Sequence, residues 1–271
     1  MCAAMIKQVR SISTSQKDKQ HLEMARLRQV ERSEHKQPDS YENKIVIKPW
    51  GYEFLVFENE WVAVWFLYIR KDHSTSMHCH PNKKTSLTML SGKALCNTFR
   101  YRNFMSACDS LVINEAVFHS TKALSLDGIA VIEVETPPDK KDLVRLEDSY
   151  GRENCGYEGC SKMTSKNLDE FNFFSFNCEN SNEKPFTIDN RFSISMESYK
   201  SPENFEASFN PDQDSIYCVC KGELMGWDDT IVLDVGETER GAFLSRDVRL
   251  KIDEDTILMK MTTLQTIKNE L

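Results

Sequence analysis

Residues 76–85 read Ser-Met-His78-Cys-His80-Pro-Asn-Lys-Lys-Thr, and about forty residues later the chain reads Val-Phe-His119-Ser. Because side chains alternate along a β-strand, the imidazoles of His78 and His80 point to one face of a sheet. Together with a third imidazole from another strand, this pair can hold a divalent transition metal ion. The spacing alone is equally compatible with two solvent-facing histidines at a strand end and one histidine in the core.

The composition restricts the class of protein. The chain has 271 residues and a net charge of −8, whereas a nucleic-acid-binding protein needs a basic face for phosphates. No run approaches the roughly 18 apolar residues of a membrane helix, and the start lacks the apolar core of a secretory signal. Nine cysteines without a Cys-x-x-Cys pair argue against a disulfide framework. We therefore expect a cytoplasmic protein that binds neither nucleic acid nor membranes.

The chain divides into four segments by its sequence texture. Residues 1–43 are polar, and a thin apolar stripe predicts an amphipathic helix from Ser13 to about Glu34, with a frayed leader as the alternative. Residues 44–152 consist of short runs rich in β-branched and aromatic residues, which predict an antiparallel sandwich or barrel. Residues 153–185 form a loose connection, and strand texture returns in residues 186–271.

The last segment repeats a pattern of the second. The sequence Ser86-Leu-Thr-Met-Leu-Ser-Gly-Lys-Ala94 is echoed by Ser215-Ile-Tyr-Cys-Val-Cys-Lys-Gly-Glu-Leu224, which predicts two copies of one barrel. No histidine follows His119, so the second copy offers no imidazole to a metal. We expect it to be structural or to mediate dimerisation.

Several of these motifs resemble a known superfamily. His78-x-His80, the Gly92 turn and the later His119 resemble the two motifs of the cupins. The segment Lys48-Pro-Trp-Gly-Tyr-Glu53 is similar to the opening of the cupin module of type II phosphomannose isomerases, and residues 131–152 are similar to its end. The resemblance covers about residues 45–152 and extends to small cupins of bacterial surface-polysaccharide gene clusters. The expected fold is all-β: two jelly-roll (cupin) barrels, the second degenerate, preceded by the N-terminal helix.

The resemblance implies a metal site. In such cupins two histidines, a glutamate and a final histidine bind the metal, which makes His78, His80 and His119 the expected ligands of a divalent Zn, Mn or Fe ion. The glutamate would stand four or five positions after His80, where this chain has Lys84 and Thr85. Three neutral imidazoles leave the dication its full charge, which favours an anionic substrate. Alternatively, Lys84 projects into the barrel, repels the metal and binds a phosphate or carboxylate itself.

Three further residues are expected to act in catalysis beside Lys84 or in its place. Glu133 and Glu135 share one face of a strand; an inward face makes them general bases or a substitute metal carboxylate, and an outward face makes them solvated. Lys122, three residues past His119, is a candidate for phosphate contact or acid–base chemistry, with simple exposure as the alternative.

Three residues are expected to bind the substrate. Arg145 matches an arginine that the phosphomannose isomerase module keeps near its substrate, and its guanidinium would bind a phosphate through two hydrogen bonds. A surface ion pair with Glu147 or Asp148 is the alternative. Trp50 and Tyr52 would form a stacking wall for a sugar ring, unless they pack in the core.

The expected function is that of a metal-dependent isomerase or epimerase of carbohydrate metabolism, acting on a phosphosugar or nucleotide sugar. The metal would polarise a carbonyl while a carboxylate or lysine moves the proton. One alternative is a non-haem iron dioxygenase, because three-histidine sites without a carboxylate resemble those of thiol dioxygenases. Another is a non-catalytic sugar-binding cupin. A homodimer is expected, since cupins commonly pair edge strands.

Overall fold

The structure is a computed structural model that describes residues 9–28, 36–153, 155–177, 184–188, 190–246 and 249–264. The strands of its first half are β1 (Arg10–Ile12), β2 (Ile45–Lys48), β3 (Gly51–Glu58), β4 (Ala63–Ile69), β5 (Met77–Cys79), β6 (Lys84–Ser91), β7 (Lys93–Thr98), β8 (Arg102–Ser106), β9 (Ser110–Ile113), β10 (His119–Ala123), β11 (Ile129–Thr136), β12 (Val144–Glu147) and β13 (Met163–Thr164). Those of the second half are β14 (Phe186–Ile188), β15 (Phe192–Tyr199), β16 (Ser215–Lys221), β17 (Leu224–Gly226), β18 (Ile231–Leu233), β19 (Thr238–Arg240), β20 (Leu250–Lys251) and β21 (Thr256–Thr263). The helices are α1 (Gln16–Arg28), α2 (Pro202–Ser208) and α3 (Gly241–Leu244), and two short 3₁₀ turns span Cys160–Lys162 and Leu168–Phe171.

Two sheets of the first half form a jelly-roll barrel. One has eight strands in the order β1-β9-β6-β11-β4-β3-β2-β13, and the other has five in the order β12-β5-β10-β7-β8. All their pairings are antiparallel except β1 with β9. Trp65 and Leu87 of the larger sheet pack against Cys96 and Met105 of the smaller one. The expectation of an all-β jelly-roll fold is confirmed.

The eight-stranded sheet is buried on both faces. Along β11, Val131 faces the barrel core, whereas Ile132 and Val134 pack with Ile216 and Met259 of the second half. This explains why β11 is a nearly continuous apolar run, because a strand covered on both faces has no solvent side to mark with polar residues.

The second half also consists of two sheets. Five strands run in the order β14-β15-β21-β16-β19 and three in the order β18-β17-β20, with Tyr217 and Leu258 packed against Leu224 and Leu233 between them. The repeated segments of the sequence, β6 and β16, each end at a glycine with positive φ, 81° at Gly92 and 71° at Gly222. The identification of these sheets as a second cupin barrel stays a prediction, as do the domain boundaries at residues 43, 152 and 185.

The N-terminal helix packs on the first barrel. Leu22 of α1 contacts the buried side chains of Cys79, Phe118 and Val144. The predicted helix extended to Glu34, but residues 29–35 lie outside the described residues. The seven cysteines in the described ranges form no disulfide bond, and Cys79 is a packing residue there. Within the same ranges, no helix has the length and apolar character needed to cross a membrane.

Candidate metal centre

Two neighbouring strands bring the three histidines together. β5 carries His78 and is followed directly by His80, and β10 begins with His119, which is paired with His78 across the ladder. The ring centroids lie 4.5 Å apart for His78 and His119, 5.1 Å for His78 and His80, and 5.7 Å for His80 and His119. One nitrogen atom of each ring lies within 4.8 Å of the others, so the cluster can hold a metal ion.

The hydrogen bonds of the three rings fix their tautomers. Nδ1 lies 2.8 Å from the Ser76 carbonyl in His78, 2.6 Å from the Asp142 carbonyl in His80 and 3.0 Å from the Val117 carbonyl in His119. Because a carbonyl oxygen only accepts hydrogen bonds, each Nδ1 carries the proton and each Nε2 keeps its lone pair. Metal-binding histidines are oriented in the same way, so this donor set fits a transition metal ion.

The local environment keeps the three imidazoles neutral. Burial lowers the pKa of His78 and of His80 well below the ordinary value, and it lowers the pKa of His119 to about 4. A metal ion at neutral pH would therefore not compete with protons for these lone pairs.

Two carboxylates face the same cavity. Glu133 and Glu135 of β11 are buried, and one oxygen of each lies within 4.8 Å of the other and of a nitrogen of His80. The sequence left two orientations for the face that carries Glu133 and Glu135. The structure shows that this face points inward, because the second half covers the outer face of β11. His80 thus belongs to two metal-capable groups, one with two histidines and one with two glutamates.

The two glutamates differ in charge state. Burial, followed by the negative charge of Glu135, raises the pKa of Glu133 to about 7. Burial acts in the same direction on Glu135, but the ammonium groups of Lys140 and Lys83 outweigh it and hold its pKa below the ordinary value. Nζ of Lys140 lies 3.0 Å and Nζ of Lys83 lies 3.1 Å from Oε1 of Glu135. The site therefore combines a carboxylate that stays ionised, Glu135, with a carboxyl group whose pKa lies near neutral pH, Glu133.

The position of Lys84 corrects the sequence analysis. Its side chain does not line the cavity; its ammonium lies 3.8 Å from the carboxylates of Asp234 and Glu237 in the second half. Lys83 faces the cavity instead and is 1% exposed. The alternation of side chains along β6 could have predicted this. Leu87 packs in the barrel core, and every second residue before it, back to Lys83, lies on the same face.

Two other predicted site residues lie away from the cavity. Lys122 is exposed on β10, where its neighbours Thr121 and Ala123 turn inward. Tyr52 packs on the opposite face of the eight-stranded sheet, and its hydroxyl donates a hydrogen bond of 3.2 Å to the carbonyl of Phe171. Both predicted positions are wrong. Lys122 is exposed, and Tyr52 packs in the core, as the alternative for each residue had it. Trp50 does line the cavity and is buried.

Arg145 lines the cavity and is held by the loop that follows β12. It stands opposite His78 in the ladder between β12 and β5. One terminal nitrogen donates hydrogen bonds to the carbonyls of Cys155, at 2.8 Å, and Gly156, and the other donates to Glu158 at 3.2 Å. The alternative, a surface ion pair of Arg145 with Glu147 or Asp148, is not found among the described residues. Its acidic partner there is Glu158.

The cavity next to the cluster has about 500 Å³ of space between atoms, part of it open to solvent. Its lining carries more cations than carboxylates. The lining residues are Lys48, Trp50, Glu53, Leu67, Thr75, Ser76, His78, His80, Lys83, Glu133, Glu135, Lys140, Leu143, Arg145, Arg152 and Tyr157. Lys140 was not predicted as a site residue from the sequence. Its ammonium lies 3.7 Å from the centre of the Trp65 ring. Nothing in its local sequence distinguishes it from a surface lysine.

The fold and the histidine cluster together form a double-stranded jelly-roll barrel whose interior carries three convergent imidazoles. No family model matches the chain, and no curated protein sequence matches it. Among solved structures, it is similar to an uncharacterized double-stranded β-helix protein of Klebsiella pneumoniae (16% identity, 41% of this chain and 91% of that one, TM-score 0.33). It is also similar to an RmlC-like cupin of Shewanella frigidimarina (17% identity, 40% and 95%, TM-score 0.34) and to a putative sugar phosphate isomerase of Acidithiobacillus ferrooxidans (14%, 34% and 64%, TM-score 0.31).

Proposed function

We propose that this protein is a cytoplasmic, metal-dependent cupin that isomerises or epimerises a phosphosugar or nucleotide sugar in carbohydrate metabolism. The observation that carries the proposal is the cluster of three imidazoles that have a free Nε2, two of which, those of His78 and His80, line the same cavity as the carboxyl of Glu133. Isomerisation next to a carbonyl needs a cation near the oxygen and a proton acceptor near the carbon. The cavity offers residues for both.

His78, His80 and His119 are the residues that would hold the ion, with Zn, Mn and Fe as the candidates. When bound, the ion would supply a Lewis acid that polarises a substrate oxygen. Glu133 would take the proton from the substrate carbon and return it, since it is the cavity carboxyl whose pKa lies near 7. Glu135 is held ionised by two lysines and is less suited to that exchange.

The charge of the cavity supports an anionic substrate. Lysines and arginines outnumber glutamates in its lining, and a divalent ion would add further positive charge. Nε of Arg145 is buried and has no hydrogen-bond partner among the described residues. A phosphate or carboxylate group of the substrate would provide an acceptor for it.

Metal content is the first test. Wild-type protein loaded in turn with Zn, Mn and Fe should retain near one equivalent of metal per chain, and His78→Ala should lose it. His73→Ala is the matched control, because His73 lies in the preceding turn with its Nδ1 2.9 Å from the Lys71 carbonyl and is outside the cluster. Wild-type protein that retains no metal after any loading would contradict the proposal.

Deuterium exchange tests the chemistry. Metal-loaded protein incubated in D₂O with hexose 6-phosphates and nucleoside-diphosphate sugars should label one carbon of its substrate, which nuclear magnetic resonance detects. Iron with oxygen uptake on a thiol would point instead to the three-histidine dioxygenase. Metal-free protein that binds a phosphosugar without labelling it would point to the sugar-binding cupin.

A homodimer is proposed as well. β8 is the edge strand of the five-stranded barrel sheet, and it carries Phe104, whose side chain is 74% exposed. A large exposed aromatic residue on an edge strand is typical of a surface that pairs with another chain. Sedimentation should give a dimer for the wild type and a monomer for Phe104→Ser.

A further inference from the structure

A turn of the second half lies directly behind the cavity. This turn, Asp234–Glu237, links β18 to β19 and is held by backbone hydrogen bonds within itself and to β16. The amide of Glu237 donates to the carbonyl of Asp234 at 2.9 Å, and the amide of Gly236 donates to the carbonyl of Val219 at 2.8 Å. Gly236 has a φ of 75°, a conformation that favours glycine.

Two ion pairs, one hydrogen bond and one close packing contact join the turn to the first half. The carboxylates of Asp234 and Glu237 lie 3.8 Å from the ammonium of Lys84, and the hydroxyl of Ser86 donates a hydrogen bond of 2.5 Å to the carbonyl of Gly236. Gly236 also approaches the side chain of Thr136 closely. A Cβ atom on Gly236 would lie 1.9 Å from Oγ1 of Thr136, so only glycine fits against it.

The contacted residues are chain neighbours of two cavity residues. Lys84 pairs with Thr136 across the ladder between β6 and β11, and Thr85 pairs with Glu135. Because side chains alternate across a sheet, the turn touches one face while Lys83 and Glu135 project to the other. Lys83 and Glu135 are each 1% exposed, and their charged atoms lie 3.1 Å apart.

We propose that the Asp234–Glu237 turn is a positioning element for the Lys83–Glu135 ion pair, so that the histidine-free half completes the site of the other half. A buried ion pair is favourable only in good geometry, and the ends of two strands next to a loop are otherwise free to shift. The turn fixes both ends at once through Lys84, Ser86 and Thr136. The inference rests on the proposed function only in treating the ion pair as part of the reacting site.

The test compares two glycine substitutions. Gly236→Ala places a methyl group against Thr136, whereas Gly222→Ala, at a φ of 71°, places one against Thr256 within the second half. Both variants place a Cβ atom on a residue with a similar positive φ, so their backbone strain is matched. The readout is the ammonium signal of Lys83 in the ¹H–¹⁵N spectrum of the metal-free protein, assigned as the signal that Lys83→Arg lacks.

Gly236→Ala should shift the Lys83 signal and speed its hydrogen exchange by about tenfold, and Gly222→Ala should leave both unchanged. Adding Thr136→Ala to Gly236→Ala should restore part of the exchange protection. An unchanged Lys83 signal in Gly236→Ala would overturn the inference.

Ser86→Ala gives a second route if Gly236→Ala does not fold, because it removes only the hydrogen bond to the turn. The same shift is expected, and its absence would overturn the inference equally. Since the readout needs neither metal nor substrate, failure of the proposed function leaves its result interpretable.

Discussion

Lys83 and Lys84 are adjacent in the chain, yet their ammonium groups contact carboxylates in different halves of the molecule. Nζ of Lys83 lies 3.1 Å from Glu135 inside the cavity, whereas Nζ of Lys84 lies 3.8 Å from the half-exposed carboxylate of Asp234. The difference matters because a buried carboxylate that loses a cation has no water to replace it, and a partly exposed one does.

Replacing these two lysines should therefore have unequal costs. Lys83→Met should lower the free energy of unfolding by about 3 kcal/mol, since it leaves Glu135 buried with Lys140 as its remaining cation. Lys84→Met should cost less than about 1 kcal/mol. Urea denaturation of both variants checks the prediction, and equal costs would contradict the assignment of Lys83 to the buried pair.

Glu158 should make stability depend on pH in acid. Burial opposes its ionisation, but Lys48 and Arg145 outweigh burial and lower its pKa to about 2. A carboxyl with a lowered folded pKa stabilises the protein above its unfolded pKa and loses that contribution as pH falls towards the folded value. Glu158→Gln should therefore cost about 3 kcal/mol at pH 7, and the difference from wild type should shrink from about pH 4.5 to pH 2.

Denaturation measured across this range tests the Glu158 prediction, with Glu153→Gln as the control. Glu153 is an exposed glutamate of the same loop, so its replacement should leave the curve unchanged. A Glu158→Gln variant that follows the wild-type curve at a constant offset down to pH 2 would rule out the linkage.

Asp18 should anchor the N-terminal helix to the barrel. Its buried carboxylate accepts hydrogen bonds of 2.9 Å from the amide of Phe118 and 2.8 Å from the amide of Ser15. Asp18→Ala would leave the buried amide of Phe118 without this partner and should destabilise the protein by about 2 kcal/mol. Residues 9–28 should then become sensitive to protease, while exposed Lys19→Ala should change neither property.

Part of the site could be predicted from the sequence because it depends on local periodicity. The two-residue spacing of His78 and His80 placed both rings on one face, and the structure brings them together with His119. The orientation of Glu133 could not be derived in this way. It depends on what covers the outer face of β11, and that cover comes from residues such as Ile216 and Met259, more than eighty positions further along the chain.

The proposed chemistry gives the sharpest prediction for Glu133. Glu133→Gln keeps the shape of the side chain but removes a group able to accept a proton, so deuterium labelling of the substrate should slow by about 10²- to 10⁴-fold. Metal content should stay near the wild-type value, because the three imidazoles supply the ligands. Glu147→Gln, an exposed position at the end of β12, should label at the wild-type rate. If Glu133→Gln labels as fast as wild type while retaining its metal, the proton acceptor is another group, and Glu135→Gln becomes the variant to compare.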